Sequence, residues 1–500
     1  MPDFDNDLQS IQQARTLAVT ARDAQRLFAH ASQAEADRVC AAMAEAAHSA
    51  SERLGRLASD ETGYGVPEHK TLKNVLSSRV LWDSIKDLPT VGVIRHDPAR
   101  RLYDIAWPMG VVAALTPSTN PTSTVMFKTL IAVKARNAIV VAPHPAAAQC
   151  CAETARVMSE AGVQAGMPPG LVTCMTRVSL PGTQELMRHR YVALILATGG
   201  SDMVRAAHSV GKPAYGVGPG NVPVYVDRSA DLRQAARYIV ASKAFDHSVI
   251  CATEQAVVAD RPIAAQLAEL MQAEGAYFVN DDQKAALGRL LFSAGHLINP
   301  KAVGKSPQQL AQMCGLSVPA AARILVARLN SVGRDEPLSG EKLTTVLGWY
   351  DADGWEAGCE RCIELINFGG RGHSLVIHAQ DDNVIMRFGL EKPVFRIVVN
   401  TLGTLGTTGL TTGVMPSMTL GSGGVGGAIT GDNITVHHMY NTKRLAYALH
   451  PPPDAALRPG STDDPAQHAR GQGAAASPTI GAEQARIDAI VQRVLAELKQ

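Results

Sequence analysis

The sequence predicts an α/β protein with two large domains built on parallel sheets. From about residue 110 onward, short β-branched runs alternate with helical segments, which is the pattern of βαβ units. The chain has 500 residues, 46% of them hydrophobic, and single cores rarely grow beyond roughly 250–300 residues. More than one core is therefore expected.

The predicted elements follow one another in two α/β regions. From Leu8 to about Lys86, apolar residues recur at helical spacing, which predicts an opening layer of helices. An open sheet of the dinucleotide-binding type follows, and a second α/β region begins after Asp227. The strands predicted for the first sheet are 110–115, 138–142, 171–175, 193–197 and 222–226, and the clearest strands of the second region are 254–259, 341–350 and 395–400.

Composition narrows the possible partners and the compartment. The 47 Lys and Arg balance 46 Asp and Glu without a long run of either sign, so no footprint for nucleic acid or anionic membrane is present. No signal-like start and no run of about 18 apolar residues occur, which predicts a cytoplasmic protein. Eight cysteines are too sparse for a disulfide framework, so reduced thiols are expected.

One cysteine segment carries a specific resemblance. Cys251 lies in KAFDHSVICATEQAVV, whose residues 245–255 match the pattern Phe-Asp-x-x-x-Ile-Cys-Ala-x-Glu-Gln. This segment resembles the active-site segment of the CoA-acylating branch of the aldehyde dehydrogenase superfamily, which includes the aldehyde dehydrogenase half of bifunctional aldehyde/alcohol dehydrogenases. Further segments resemble the family in the family's order, at 61–74, 115–145, 195–207, 210–227 and 341–347.

The resemblance implies the aldehyde dehydrogenase fold and assigns its parts to this chain. That fold has a Rossmann-like cofactor domain, an α/β catalytic domain and a small oligomerisation element, which implies a homo-oligomer. The implied division is 1–227 for the N-terminal helices and cofactor domain, 228–420 for the catalytic domain, and 421–450 for a return to the cofactor domain with an oligomerisation strand.

The resemblance also assigns the chemistry. Cys251 is the expected nucleophile, and the side-chain amide of Asn120, with the backbone N–H of the nucleophile, is the expected oxyanion donor. Taken alone, a cysteine here would be a small buried hydrophobe and Asn120 a turn residue before Pro121. The matching cofactor residues are Thr198, Gly199, Gly200 and Ser201 in a turn that opens a helix, Glu341 on the nicotinamide ribose, and His144 near the adenosine ribose.

Several finer points stay open in the sequence. Glu341 taken alone would be a solvated charge at a strand edge. His144 stands where hydrolytic relatives carry a lysine, so NAD is expected and NADP is not excluded. His373, in GGRGHS, matches a family Gly-His pair near the acyl or CoA channel, with a structural histidine as the alternative. No metal is expected, because the CERC pair at 359–362 lies in a helical pattern without a second pair.

The missing general base predicts the product. Hydrolytic members carry a glutamate in a Glu-Leu-Gly-Gly-Lys segment, whereas the matching stretch here, YGVGPGNVPVYV at 215–226, contains no carboxylate. A short-chain aldehyde should therefore become an acyl-CoA rather than a free acid. A hydrolytic dehydrogenase and a catalytically silent scaffold are the alternatives, and the identity of the aldehyde stays open.

The C-terminal sequence predicts a flexible linker followed by an amphipathic helix that needs a partner. Residues 451–480 are rich in Pro, Gly and Ala, which predicts a flexible linker. Residues 481–500 carry one apolar stripe, formed by Ile487, Ile490, Val491, Val494, Leu495 and Leu498. Such a tethered helix resembles the encapsulation peptides that load enzymes into bacterial microcompartments. Docking on the enzyme's own body or on a second copy of the helix is the alternative.

Overall fold

The computed structural model describes residues 5–293, 297–453 and 456. The chain divides into a large compact unit, Met1–Ala446, and a C-terminal unit, Tyr447–Gln500. All elements described belong to the large unit. Apart from 451–453 and 456, the predicted linker and the predicted helix at 481–500 lie outside the described residues.

Helices form the first layer, as the apolar spacing predicted. Helix α2 begins with a capping box, in which Ser32 and Glu35 satisfy each other's backbone N–H groups. Within the described ranges, no helix is long and apolar enough to cross a membrane. These helices are α1 Asn6–Phe28, α2 Gln33–Ser49, α3 Ser51–Thr62, α4 Pro67–Val75 and α5 Leu81–Ile85, with a π-helical segment at Leu76–Val80 between the last two.

A five-stranded parallel sheet follows an exposed antiparallel pair of strands. Its order is β5-β4-β3-β6-β7, so the chain switches direction between the neighbours β3 and β6. Ligands of open α/β sheets bind at such a switch, beyond the carboxyl ends of the strands. The strands are β1 Gly92–Asp97 and β2 Leu102–Pro108 in the pair, then β3 Val111–Thr116, β4 Ala138–Pro143, β5 Val172–Cys174, β6 Val192–Thr198 and β7 Ala214–Val217.

Helices cover both faces of this sheet, which explains its apolar strands. Every residue of β3 and of β4 is buried, as in parallel sheets packed on two sides. The helix that follows β3 is itself buried at all of its positions, so it runs through the core. The four helices are α6 Pro121–Lys134, α7 Ala148–Gln164, α8 Leu180–Arg188 and α9 Ser201–Ser209.

A seven-stranded parallel sheet forms the second layer, in the order β10-β13-β14-β9-β8-β15-β16. Its strands are β8 Val222–Val226, β9 Glu254–Asp260, β10 Ala276–Phe278, β13 Ile324–Arg328, β14 Val346–Ala352, β15 Leu375–His378 and β16 Ile397–Val399, with a separate two-stranded pair, β11 Phe292–Ser293 and β12 Leu297–Ile298. Its helices are α10 Leu232–Ala244, α11 Arg261–Ala273, α12 Asp281–Leu291, α13 Pro307–Cys314, α14 Gly354–Phe368, α15 Asp382–Glu391 and α16 Gly403–Thr407.

Two sequence-based boundaries need correction. The strand expected at 222–226 to end the first sheet pairs instead with β9 and β15 of the second, so the change of sheet comes before residue 227. A fully apolar strand carries no sign of which sheet it joins. Residues 341–345 also lie outside the strand predicted at 341–350, because Leu343 adopts a left-handed backbone with a φ of 47°.

The segment after residue 420 returns to the first layer. Ile434, Val436 and Met439 pack in the same apolar core as β3, β4 and α6. Strand β17, Tyr440–Ala446, then pairs antiparallel with β2 and completes a three-stranded sheet with β1. Most residues of β17 are exposed, so this sheet projects from the two buried layers.

Candidate active site

A cavity of about 450 Å³ lies where the carboxyl ends of β3 and β6 meet the loop that precedes β9. Seven of the eight residues predicted for the site line it: Asn120, His144, Thr198, Gly199, Gly200, Cys251 and Glu341. The eighth, Ser201, lines an adjoining cleft that shares Gly218 and Pro219 with the cavity. The fold therefore gathers residues that are far apart in the sequence at the topological switch of the first sheet.

Asn120 lies at the start of α6 without capping it. Pro121 occupies the first helical position, and the Asn120 side chain makes no capping hydrogen bond. Its Nδ2 instead donates to the Val249 carbonyl at 3.2 Å and to Thr119 Oγ1 at 3.1 Å, while its Oδ1 accepts from Lys73 Nζ at 2.5 Å. The amide therefore points its donor end toward the loop that carries Cys251.

The loop that carries Cys251 has an unusual backbone. Asp246, His247 and Ser248 have φ values of 49°, 50° and 67°, in the left-handed region that non-glycine residues rarely adopt. Such strain persists only where surrounding contacts fix it, and it clusters at functional sites. A turn closed by the Thr253 N–H on the Ile250 carbonyl at 3.0 Å then leads into β9 and leaves Cys251 at its corner.

A buried ion cluster, the Asp246 cluster, fixes this loop; it consists of Asp246, Lys70 and Lys73. Both ammonium groups contact Asp246 Oδ2, Lys70 at 3.2 Å and Lys73 more closely, and the Val66 N–H donates to Oδ1 at 2.7 Å. The lysines are 2% exposed and the carboxylate is fully buried. Burial opposes ionisation of Asp246, but the two ammonium groups bring its pKa below the usual value.

The surroundings of Cys251 favour the protonated thiol at neutral pH. Burial raises its pKa to about 12, and the charge of Glu341 adds to the rise. Arg396 and the backbone N–H groups of Cys251 and Ala252 lower the pKa in part. A positive charge brought close to this thiol would favour the thiolate, which is the reactive form.

Glu341 is the carboxylate beside this thiol. Its Oε1 accepts from the Gly220 N–H at 3.0 Å, and a Cβ at Gly220 would collide with the Cys251 carbonyl. Burial raises the pKa of Glu341 to about 7, although the Gly220 N–H, Lys243 and Lys342 oppose the rise. Among the described residues that line the cavity, Glu341 is the one carboxylate.

The predicted cofactor turn has the geometry of an anion site. Gly200 precedes α9 and provides no side-chain cap, so the first N–H groups of the helix are open to a ligand. Thr198, at the end of β6, shares a 3.0 Å hydrogen bond with the Thr419 hydroxyl. Neither lysine nor arginine occurs among the described residues that line the cavity, and His144 Nδ1 accepts from the Ala146 N–H at 3.1 Å.

The chain matches known proteins over most of its length. Residues 8–289 match the aldehyde dehydrogenase family. The chain is also 35% identical to the succinate-semialdehyde dehydrogenase (acetylating) of Clostridium kluyveri over 433 residues, which are 87% of this chain and 95% of that protein. It belongs to the aldehyde dehydrogenase family. The resemblance inferred from the Cys251 segment is thereby confirmed, as is the predicted fold class.

Two further known proteins are similar to this chain in structure or in sequence. An acetylating aldehyde dehydrogenase from Geobacillus thermoglucosidasius superimposes with a TM-score of 0.88 at 47% identity, covering 90% of this chain and 99% of that one. Aldehyde-alcohol dehydrogenase 2 of Entamoeba histolytica is 40% identical over 402 residues, which are 79% of this chain and 46% of that protein. The chain thus spans about half the length of the bifunctional relatives that it matches.

The aldehyde dehydrogenase site contains groups that the sequence did not single out. Lys70, Lys73 and Asp246 lie inside segments recognised by resemblance, yet the sequence assigned them no role. Two lysines three positions apart on a short helix normally face solvent, so only the pairing with a distant carboxylate identifies them. Arg396 was also missed: it is buried, donates to the His373 carbonyl at 2.9 Å, and its charge lowers the pKa of the Cys251 thiol.

His373 does not line the cavity in the described structure. The residue is buried, its Nδ1 lies 3.0 Å from the Ser374 hydroxyl, and burial lowers its pKa to about 3. Its ring packs against the Gly220 position, where a Cβ would lie 3.0 Å from Cγ. The imidazole is therefore neutral at neutral pH and lies behind the loop that contacts Cys251.

Alkylation of Cys251 in the ligand-free protein should rise with pH without levelling off before about pH 10. The thiolate is the reactive form, and burial raises the pKa of this thiol far above the ordinary value of about 8.5. Peptide mass spectrometry after a short iodoacetamide pulse measures the rate, with Cys251→Ala as the background. A plateau by about pH 9 would contradict the electrostatics described.

Proposed function

We propose that the protein is a CoA-acylating, NAD-dependent aldehyde dehydrogenase that converts a short-chain aldehyde to an acyl-CoA. One observation carries the proposal: Cys251 opens into the same cavity as Asn120 and the cofactor turn, with Glu341 as the one carboxylate among its described lining residues. The names of the C. kluyveri and G. thermoglucosidasius relatives, both acetylating enzymes, support the same reaction.

Cys251 performs the covalent chemistry. Its thiolate adds to the carbonyl carbon of the aldehyde and forms a thiohemiacetal, which makes that carbon a hydride donor. The oxyanion accepts hydrogen bonds from Asn120 Nδ2 and from the Cys251 backbone N–H. Nδ2 also donates to Thr119 Oγ1, and the oxyanion, a stronger acceptor, replaces that hydroxyl. A bound nicotinamide cofactor supplies the hydride acceptor, and loss of hydride leaves a thioester on Cys251.

The second half-reaction transfers the acyl group to the thiol of CoA. Attack by water needs a general base, whereas a thiol attacks a thioester with less help. Glu254, the first residue of β9, lies three residues after Cys251. It is not a candidate base for water, because it is fully buried and accepts from the Ser242 hydroxyl at 2.5 Å and the Gly403 N–H at 2.7 Å. Glu341 is the remaining carboxylate, and we assign it to the cofactor ribose rather than to water.

The cavity favours NAD over NADP. A 2′-phosphate would carry its charge into a cavity whose described lining contains no lysine or arginine. His144 is a poor substitute, because burial lowers its pKa and keeps the ring neutral. The N-terminal end of α9 can accept the pyrophosphate that both cofactors share.

NADH should therefore bind at least about tenfold more tightly than NADPH, a difference of about 1.4 kcal/mol. The physical reason is the cost of desolvating a 2′-phosphate without a cation to pair with it. Quenching of protein fluorescence by each reduced cofactor, measured at one ionic strength, gives the two dissociation constants. Equal affinities would contradict the assignment of NAD.

Steady-state turnover without CoA should be at least about a hundredfold slower than with it, the lower end of what a positioned base contributes. NADH formation is followed with and without CoA, and the acyl product is identified by mass spectrometry. Cys251→Ala is the matched control and should retain less than about one part in a thousand of the activity. Rapid release of free acid without CoA would support the hydrolytic alternative, and Glu341→Gln would then test which carboxylate activates water.

We also propose that the enzyme is a homo-oligomer and that residues 481–500 carry it to the shell of a bacterial microcompartment. The exposed strand β17 supports the first proposal, because an exposed edge strand is a template for pairing with another chain. The apolar stripe of the C-terminal sequence supports the second, because so short a helix is marginal alone in water and needs a partner.

The C-terminal segment 480–500, fused to a fluorescent protein, should co-purify with shell proteins, and its deletion should leave catalysis and oligomeric state unchanged. Leu495→Asp should abolish the recruitment, because it places a charge within the apolar stripe. Fluorescence in purified shells and light scattering of the truncated enzyme provide the two measurements. Loss of the oligomer on deletion would favour self-docking of the helix instead.

A further inference from the structure

The orientation of the Asn120 side chain decides whether it can stabilise an oxyanion. A carboxamide has a donor end and an acceptor end of nearly the same shape, so it can be turned by 180° at little steric cost. With Nδ2 toward the cavity it donates to an oxyanion. With Oδ1 in that place it would repel the same charge, so some group must fix the orientation.

Lys73 is the group that touches the acceptor end. Its Nζ lies 2.5 Å from Asn120 Oδ1, and a lysine amine in its ordinary ammonium form is a donor without an acceptor. Only Oδ1 can face it favourably. Nδ2 is then left to donate to the Val249 carbonyl, two residues before Cys251, and to Thr119 Oγ1, and both of these residues line the cavity.

Lys73 is itself fixed in place. Its side chain is 2% exposed and is paired with Asp246, which also accepts from Lys70 and from the Val66 N–H. The Asp246 cluster thus joins helix α4, which carries both lysines, to the loop that carries the nucleophile. Burial and the ion pair with Asp246 therefore hold Lys73 against Asn120.

The charge of the cluster adds to the effect of orientation. Burial lowers the pKa of Lys73 to about 7 although Asp246 opposes that shift, so the ammonium form of Lys73 is populated at neutral pH. In that form Lys73 and Lys70 share one carboxylate, which leaves positive charge beside the amide in a buried region. A cationic donor on Oδ1 polarises the amide and strengthens the hydrogen bonds that its N–H groups donate. Preorganised positive charge near a developing oxyanion is among the largest contributions to catalysis in water-excluded sites.

We propose that Lys73 is a positioning residue for the first half-reaction: it holds the Asn120 amide with its donor end toward the thiohemiacetal oxyanion and polarises it. This inference rests on the proposed function, because it concerns the oxyanion formed at Cys251. A purely structural role, in which Lys73 only holds the loop to α4, is the competing explanation.

Lys70 offers a matched control within the same cluster. It has the same side chain, the same exposure of 2% and the same partner, Asp246. Its second contact is the backbone carbonyl of Thr119 at 3.1 Å, not the Asn120 side chain. Removing either lysine leaves Asp246 paired with the other, so neither variant creates an unpaired buried carboxylate.

A double-mutant cycle separates the two explanations. Lys73→Met and Lys70→Met are each made in the wild-type and in the Asn120→Ala background. The rate of the NADH burst is measured in single turnovers at saturating NAD and aldehyde, without CoA. In the wild-type background, Lys73→Met should slow the burst about 30- to 100-fold, somewhat less than the loss of an oxyanion donor itself. The aldehyde concentration at half-maximal rate should change less than about threefold.

The coupling to Asn120 is the decisive readout. In the Asn120→Ala background, Lys73→Met should cost less than about threefold further, because the amide through which it acts is gone. The loss caused by Lys70→Met, whatever its size, should be the same in both backgrounds. If the losses from Lys73→Met and Asn120→Ala multiply, or if Lys70→Met couples to Asn120 equally, the proposal is wrong.

Two further controls keep the test decisive. Lys73→Gln retains a neutral donor, so it should lose less than Lys73→Met, and it enters the same cycle if Lys73→Met does not fold by circular dichroism. The burst precedes any acyl acceptor, so it is independent of the CoA step. A wild-type enzyme without an NADH burst would contradict the proposed function, whereas a normal burst with multiplicative losses would contradict only the role of Lys73.

Discussion

The buried carboxylate of Asp246 is the contact on which the geometry of the site depends. It accepts from two ammonium groups of α4 and from a backbone N–H, and its own residue begins three consecutive left-handed positions before Cys251. Burying a charge costs several kcal/mol unless pairing and hydrogen bonds compensate for it. Because α4 and its N-cap residue Val66 provide that compensation, the loop that carries Cys251 is held in one position relative to the helix that carries Lys73.

The cavity lies where the carboxyl ends of strands in the first sheet meet the amino ends of strands in the second sheet. The carboxyl ends of β3 and β6 provide Asn120 and the cofactor turn, while the segments that precede β9 and β14 provide Cys251 and Glu341. Cys251 and Asn120, the proposed nucleophile and oxyanion donor, thus come from segments that adjoin different sheets, and neither sheet alone forms the cavity. The segment before β8 approaches the Cys251 carbonyl so closely at Gly220 that a side chain there would collide with it.

What the sequence could predict depended on the range of the interaction. The parallel strands and the cofactor turn were predicted because periodicity and glycine spacing are local signals. The pairing of Asp246 with Lys73 was not, because 173 residues separate them and two lysines on a short helix normally indicate a solvated face. The left-handed backbone at Leu343 and the sheet that Val222–Val226 joins were not predicted for the same reason, because each is fixed by tertiary contacts. Cys251 and Asn120 were selected by resemblance, and the structure brings both to one cavity.

The proposed reaction requires a covalent acyl group on Cys251, and mass spectrometry of the trapped intermediate tests that requirement most directly. The enzyme is mixed with a short aldehyde and NAD in the absence of CoA, quenched in acid and digested. If Cys251 carries the thioester, one acyl adduct is expected, on the peptide that contains Cys251. That adduct should disappear when CoA is added before the quench. An unmodified Cys251 in a sample that has formed one equivalent of NADH, or an adduct on another residue, would contradict the proposed reaction.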